Sequence, residues 1–321
     1  MDHLQLLHLV RRPLSPDTRL EVPASREGFD LVQEILDRED AEYPQLWYDG
    51  WRNIAIIVAP PTPLHSGMAG ALLSRISDEF KLNSGISSEL SRNLIYESET
   101  RSTRYTGRGL TTRAWDGALQ YWEGNRATLM IAVEVGISQS YDSLREAISW
   151  SVCALGCRLG LAMSVHEESR GTPAMRYYAS LEERNAVLQE AEDGFYQQLI
   201  QHPYGPLEWE GETWFGRISR VVLETYRCQD EYCPPETLLA PSQSLTVVQD
   251  GGYVGHDISP NIREVMLGDC IPSHLLSGQD VQATPLNFFR REWFEGQFQG
   301  LMVETAALLV QEKTVVAQPI A

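Results

Sequence analysis

The chain has 321 residues, enough for one large domain or two ordinary ones, and 43% hydrophobic with 22% charged residues is the make-up of a folded globular protein, which excludes the disordered class. With 44 acidic against 26 basic residues and a formal charge of −18, it lacks the Lys and Arg excess that neutralises phosphates, so nucleic acid is a disfavoured partner unless a local basic groove forms. No uncharged apolar run reaches the roughly 18 residues of a membrane span.

Residues 1–43 read as an N-terminal extension carrying one amphipathic helix, followed by a main domain over 44–321. The opening MDHLQLLHLVRRPL has its charges in the wrong order and its apolar stretch too short for a secretory signal, and an intracellular setting, cytoplasmic or nuclear, is expected. In REGFDLVQEILDRED, Phe29, Val32, Ile35 and Leu36 recur at helical spacing. From residue 44 the pattern changes: Asp49-Gly50 is turn chemistry, Ile54 to Val58 is strand-like, and Pro60-Pro61 stops it. A helix is predicted over HSGMAGALLSRISDEFK, with Met68, Leu72, Leu73 and Ile76 as its apolar stripe.

A polar stretch, 83–109, leads into two apolar runs, TRAWDGALQYW and ATLMIAVEV, around the turn-like EGNR. Folding them back about Asn125 sets Asp116 opposite Glu134. Directly opposed residues on antiparallel strands have Cβ atoms about 5 Å apart, and like charges there repel. Such a pair wants a cation or a proton. Arg101, Arg104, Arg108 and Arg113 cluster just before the first acid and read as a solvated basic strand or loop more readily than as a phosphate track.

Beyond Glu134, Ser140 or Ser143 caps a helix, with Ser143 and Glu146 at capping-box spacing and Tyr141, Leu144, Ile148 and Val152 on its apolar face. CRLGLAMSVHE alternates large residues with Gly160, Ala162 and Ser164, a buried strand whose small face lets a helix approach closely. A helix near 180–200, a strand at WFGRISRVVLETYR and a final helix from about 286 to 312 complete the same domain. Neither Cys153/Cys157 nor Cys228/Cys233 has the CxxC spacing of a zinc site, and all five cysteines are expected to be structural thiols.

The ordered parts resemble the PD-(D/E)XK nuclease-like superfamily: an aspartate on one hairpin strand, a glutamate at the end of the next, a helix, then another buried strand. The segments EVGISQSYDSLREAISW, WDGAL, LWYDG and PPTPLH are similar to those of a group of fungal members, over about residues 44–170 and more loosely to 312. The resemblance implies a mixed α/β fold with a restriction-endonuclease-like core, a four- or five-stranded mixed sheet flanked by helices. It further implies Mg²⁺ or Mn²⁺ on Asp116 and Glu134, with the Val135 carbonyl as a third ligand, for hydrolysis of phosphodiesters.

The chain departs from that pattern where the chemistry is densest. The resemblance calls for a lysine two residues after the glutamate, and Gly136 stands there. Gln139 can hydrogen-bond a water without supplying charge, and Arg145 lies one or two helical turns on. Ser66 follows His65 where the group commonly has an acid. His65 is either a local capping residue or a ligand or proton carrier. Ser138 and Ser140 read as helix caps rather than nucleophiles. Three functional classes therefore stand: a metal-dependent, largely degenerate nuclease; a binding or assembly protein, as a homo-oligomer or with a protein partner; and an enzyme using the old cleft, with or without a metal, on a small molecule.

Overall fold

The computed structural model describes residues 1–12, 14, 18–39, 44–83, 86–98, 101–105, 110–137, 140–228, 233, 234, 237–255, 265–276 and 279–317. In chain order the elements are α1 (His3–Val10), β1 (Arg19–Pro23), α2 (Arg26–Leu36), β2 (Gln45–Asp49), β3 (Ile54–Val58), α3 (Pro63–Leu82), α4 (Ser88–Asn93), β4 (Leu94–Ser98), β5 (Arg101–Tyr105) and β6 (Leu110–Ala114). There follow β7 (Gly117–Glu123), β8 (Arg126–Ile137), α5 (Tyr141–Leu155), β9 (Leu159–Glu167), β10 (Arg176–Tyr178), α6 (Leu181–Gln201), β11 (Leu207–Trp209), β12 (Glu212–Phe215) and β13 (Ile218–Tyr226). The last are β14 (Gln243–Gln249), β15 (Gly252–Tyr253), α7 (Leu267–Cys270), α8 (Gln279–Gln282), α9 (Arg291–Lys313) and β16 (Thr314–Val316).

The architecture is mixed α/β. A seven-stranded sheet runs in the order β15-β14-β13-β9-β8-β7-β4, larger than the four or five strands expected because β13, β14 and β15 extend it. Every adjacent pair is antiparallel except β8 and β9, which run parallel and are joined through α5. Parallel neighbours cannot be joined by a tight turn, so the helix is the crossover that this pairing demands. Met68, Leu72 and Ile76 of α3 and Phe298, Met302 and Ala306 of α9 pack with Val133, Val135, Leu161 and Met163 on one face of the sheet. On the other face Leu144, Ile148 and Val152 of α5 pack with Ala132, Ala162 and Tyr226.

The segment read as an extension contributes a strand to a second sheet, of order β1-β3-β2-β6-β5. There β1 pairs with the whole of β3, Arg19 opposite Val58 through Pro23 opposite Ile54. Leu6, Leu7 and Val10 of α1 and Phe29, Val32 and Leu36 of α2 cover its outer face against Tyr48, Ala55 and Ile57. Its inner face, with Trp47, Ile56 and Ala114, turns toward the larger sheet.

The run TRAWDGALQYW is two strands rather than one: β6 ends at Ala114 in the small sheet and β7 starts at Gly117 in the large one. Trp115 and Asp116 are the crossing point. The β7–β8 hairpin turns on Gly124, at φ 60°, with Asn125, a conformation that glycine adopts without the Cβ penalty. Near the turn, Glu123 faces Arg126 and Gln120 faces Leu129; a bulge then shifts the register, so that Leu119 faces Ile131 and Gly117 faces Val133. This one-residue slip is what places position 116 opposite 134 instead of 133.

Ser140 caps α5, its Oγ accepting from the Ser143 N–H, so the box built on Ser143 does not form. Cys153 and Cys233 form a disulfide across 80 residues, which corrects the reading of all five cysteines as thiols. The segment at 237–239 lies along α5, with Arg145 Nε donating to the Leu239 carbonyl at 2.6 Å and Leu239 N donating to Ser149 Oγ at 3.0 Å. Cys157 and Cys270 are buried thiols, and burial pushes the Cys157 thiol up to about 12. No described helix is long and apolar enough to cross a membrane.

The small residues of β9 admit α5 as their alternation suggests. A Cβ added at Gly160 would lie 2.6 Å from Ile148 Cγ1 and 3.1 Å from Val152 Cγ2. Gly160→Ala is therefore expected to cost about 1–3 kcal/mol, the usual range for overpacking a dense core. Urea unfolding of the two proteins measures it, and an unchanged midpoint would mean that α5 packs less closely on β9 than the structure has it.

Candidate functional site

Asp116, at the crossing between sheets, and Glu134, on β8, line one cleft of about 490 Å³. One wall is the inner face of the small sheet: Arg19 and Glu21 from β1, Gln45 and Trp47 from β2, Val58 from β3, and Arg52 from the turn between β2 and β3. The other wall holds His65 near the start of α3, the two acids, and Ser140, Asp142, Ser143 and Glu146 at the start of α5. Long-range pairing of β1 with β3 is what brings the first 25 residues into the site.

Pairing between β7 and β8 ends at Gly117 and Val133. The Val135 N–H, one step past the last pair, donates to Asp116 Oδ2 at 2.7 Å, so the carboxylate satisfies a backbone donor that a strand would otherwise take. The same oxygen lies 3.0 Å from His65 Nε2. His65 is set by the start of α3, where Pro63 occupies the first turn and Thr62 is the cap, its Oγ1 accepting from the His65 N–H. His65 is thus not the capping residue; its ring faces the acid.

Glu134 has a different environment. It is 5% exposed, and burial, followed by the negative charge of Asp116, pushes its carboxyl well above the usual carboxylate range despite the opposing pull of Arg113, His65 and Arg19. A second buried acid provides the contrast. Glu224 sits on β13 opposite Ala162, which in turn pairs with Glu134. It accepts hydrogen bonds from Tyr226 Oη at 2.7 Å, Tyr141 Oη at 2.9 Å and Ser244 Oγ at 3.1 Å. Hydroxyls solvate the Glu224 carboxylate, whereas beside Glu134 stands another acid.

Behind the small-sheet wall lies Arg113, 5% exposed rather than solvated. Its Nη2 is 3.8 Å from Asp49 Oδ2 and its guanidinium lies 6.0 Å from the Trp150 ring centre. Burial, and then the positive charge of Arg19, pull its pKa below the ordinary arginine value. Asp49 is buried too, which alone would raise its pKa; hydrogen bonds from the Arg52 side chain and backbone hold it below the usual value instead. Arg52 also reaches Glu21 at 3.1 Å and, across the cleft, Glu146 at 3.6 Å. Half-exposed pairs of this kind contribute little, so the two walls are latched lightly.

Of the other residues singled out in sequence, Ser138, Gln139 and Arg108 lie outside the described residues, as do the side chains of Arg101 and Arg104. Arg145 is committed to the Leu239 carbonyl and does not line the cleft. Trp150 is core, at 6% exposure, and Asp78 and Glu79 pair with Lys81 and Arg75 on α3. Arg19, Arg52 and Trp47 were not singled out. Only Trp47 carried a local signal, as one residue of an alternating aromatic run.

The donors do not fit the Mg²⁺ or Mn²⁺ centre that the resemblance implies. Among the described residues no group of three or more His, Cys, Asp and Glu could hold a metal ion. One Asp116 oxygen accepts from the Val135 N–H and lies 3.0 Å from His65 Nε2. Hard divalent cations take several ionised or carbonyl oxygens. Comparisons with family models, with curated proteins and with solved structures find no match.

The raised Glu134 pKa links to stability with a definite sign. An acid whose folded-state pKa lies above its unfolded value stabilises the fold fully below the unfolded pKa and loses that contribution as pH rises through the folded pKa. Glu134→Gln removes the loss. The melting temperature of the variant relative to that of the native protein should therefore rise as the pH is raised above the ordinary carboxylate range. Parallel melting curves with pH would show a carboxyl that ionises normally.

Proposed function

We propose that this chain is a PD-(D/E)XK nuclease-like protein whose cleft binds a small molecule and moves a proton on it, without a divalent metal. Support for the kinship is the succession α3, β4, β7, β8, α5 and β9, in which three antiparallel strands are followed by a helix and a fourth strand parallel to the third. Glu134 stands on the third of these strands, and Asp116 immediately precedes the second. Gly136 and the donor set argue against a working nuclease centre, and a charge of −18 opposes a polyanionic substrate.

The observation that carries the acid–base reading is the contrast between adjacent groups. Glu134 is held toward its protonated form, while Asp116, fixed by the Val135 N–H, lies 3.0 Å from His65 Nε2. A carboxyl held toward its acid form near an imidazole offers an acid and a base within one cleft. Glu134 would donate and His65 accept, with Asp116 positioning the imidazole. A cleft of about 490 Å³ lies within the range of small-molecule sites. An intracellular setting belongs to the same proposal and rests on sequence alone; the Cys153–Cys233 disulfide is of a kind commoner in oxidising compartments.

Two measurements test it. A difference infrared spectrum of native protein minus Glu134→Gln at neutral pH should contain a protonated-carboxyl stretch, and a carboxylate band in its place would overturn the acid assignment. Calorimetric titration with Mg²⁺ and Mn²⁺ should give no saturable heat. Saturable binding that disappears in Glu134→Gln, together with cleavage of single-stranded or duplex nucleic acid, would establish the metal-dependent phosphodiesterase instead.

A further inference from the structure

Two guanidinium groups beside the cleft have nitrogen donors with nothing to bind. Arg19 lines the cleft, its side chain 13% exposed. Its Nη2 meets Glu21 at 2.9 Å, while Nε and Nη1 are buried and have no hydrogen-bond partner among the described residues. Arg113 repeats the pattern more deeply: Nε and Nη1 are buried and equally unpartnered, and Asp49, its nearest carboxylate, is shared with Arg52 at the shorter distance of 2.8 Å.

Buried donors are satisfied in the great majority of cases, and an unpaired buried charge is among the costlier things a fold can carry. Here two like charges stand near one another, which raises the cost again. The carboxylates of the cleft relieve it only in part. Glu21 meets Arg19 through Nη2 alone and is shared with Arg52, which also engages Glu146. The remaining Arg19 donors, Nε and Nη1, are of the kind an oxyanion satisfies.

We propose that the cleft takes its small molecule by an oxyanion, a carboxylate or a phosphate, held by Nε and Nη1 of Arg19 against the Trp47 wall, with the Arg113 guanidinium behind as a second positive charge. The Arg19 guanidinium carbon lies 5.9 Å from the Trp47 ring centre, a contact that fixes the guanidinium without using its N–H groups. Guanidinium is suited to this work because its donors are planar, always charged and matched to oxyanions. The acidic surface repels anions at long range, so recognition is made at contact and depends on these donors. The assignment names the ligand class of the cleft already described, yet it does not require the Glu134–His65 chemistry.

Inorganic phosphate and acetate are the probes, each titrated at constant ionic strength while the melting temperature is recorded. Native protein should be stabilised saturably by one of them; which one distinguishes a phosphate-bearing from a carboxylate-bearing ligand. Arg19→Gln should weaken the apparent affinity by about tenfold or more, the loss expected when a charged hydrogen-bonding partner is removed. Arg38→Gln, which removes an exposed arginine of the Glu34 pair on the surface, should respond as native protein does. Glu134→Gln should retain the anion response, so failure of the acid–base reading and failure of the oxyanion subsite give different results. A response equal in native protein and Arg19→Gln, or no saturable response to either anion in native protein, overturns the subsite.

Discussion

Asp116 stands where the backbone passes from one sheet to the other, and this joint organises the rest of the site. Had the strand continued unbroken through Trp115, its ladder would have paired the Val135 N–H. Because the larger sheet starts only at Gly117, the aspartate side chain takes over that donor at 2.7 Å. The carboxylate is then fixed against β8, His65 finds it from α3, and Glu134 loses the option of ionising freely. One interrupted strand thus accounts for the positions of three polar groups and, with burial, for the raised Glu134 carboxyl.

Covering the joint with the small sheet determines what the groups can do. Its inner face brings Trp47 and Arg19 over the acids, lowering the local dielectric and keeping Glu134 at 5% exposure. Low dielectric strengthens each polar contact that is made and penalises each that is not. Glu224, whose oxygens accept from three hydroxyls, differs in this from Glu134, which stands beside another acid, and from the Nε and Nη1 atoms of Arg19 and Arg113, which have no hydrogen-bond partner among the described residues. A nuclease-like frame need not run nuclease chemistry, since chemistry belongs to the groups placed on it.

Local periodicity made much of the frame legible. The stripe Met68, Leu72, Leu73 and Ile76, the run Ile54 to Val58, and the large–small alternation of β9 all read directly from spacing and all form as read. The hairpin was legible in part. Reflection about Asn125 describes the register only beyond the bulge, and nothing in ATLMIAVEV marks where that bulge falls. The switch of sheets inside TRAWDGALQYW falls at Asp116-Gly117, two residue types that strands disfavour. Hidden entirely were features joining distant residues: β1 against β3 and the disulfide between Cys153 and Cys233. Arg19 and Arg52 escaped notice for the same reason, since a surface arginine and a buried one look alike until a remote segment folds over them.

The pairing of β1 along β3 also bears on the protein's solution behaviour. Ile54, Ala55, Ile56, Ile57 and Val58 form an apolar strand whose neighbours on its two sides are β1 and β2. A chain trimmed to begin at residue 44, as an amphipathic leader might tempt one to do, would leave that strand with a full row of open backbone groups and strip α1 and α2 from the face beneath. Uncharged, β-branched edges of this type recruit copies of themselves. In the intact chain β1 closes that edge and α1 and α2 cover that face.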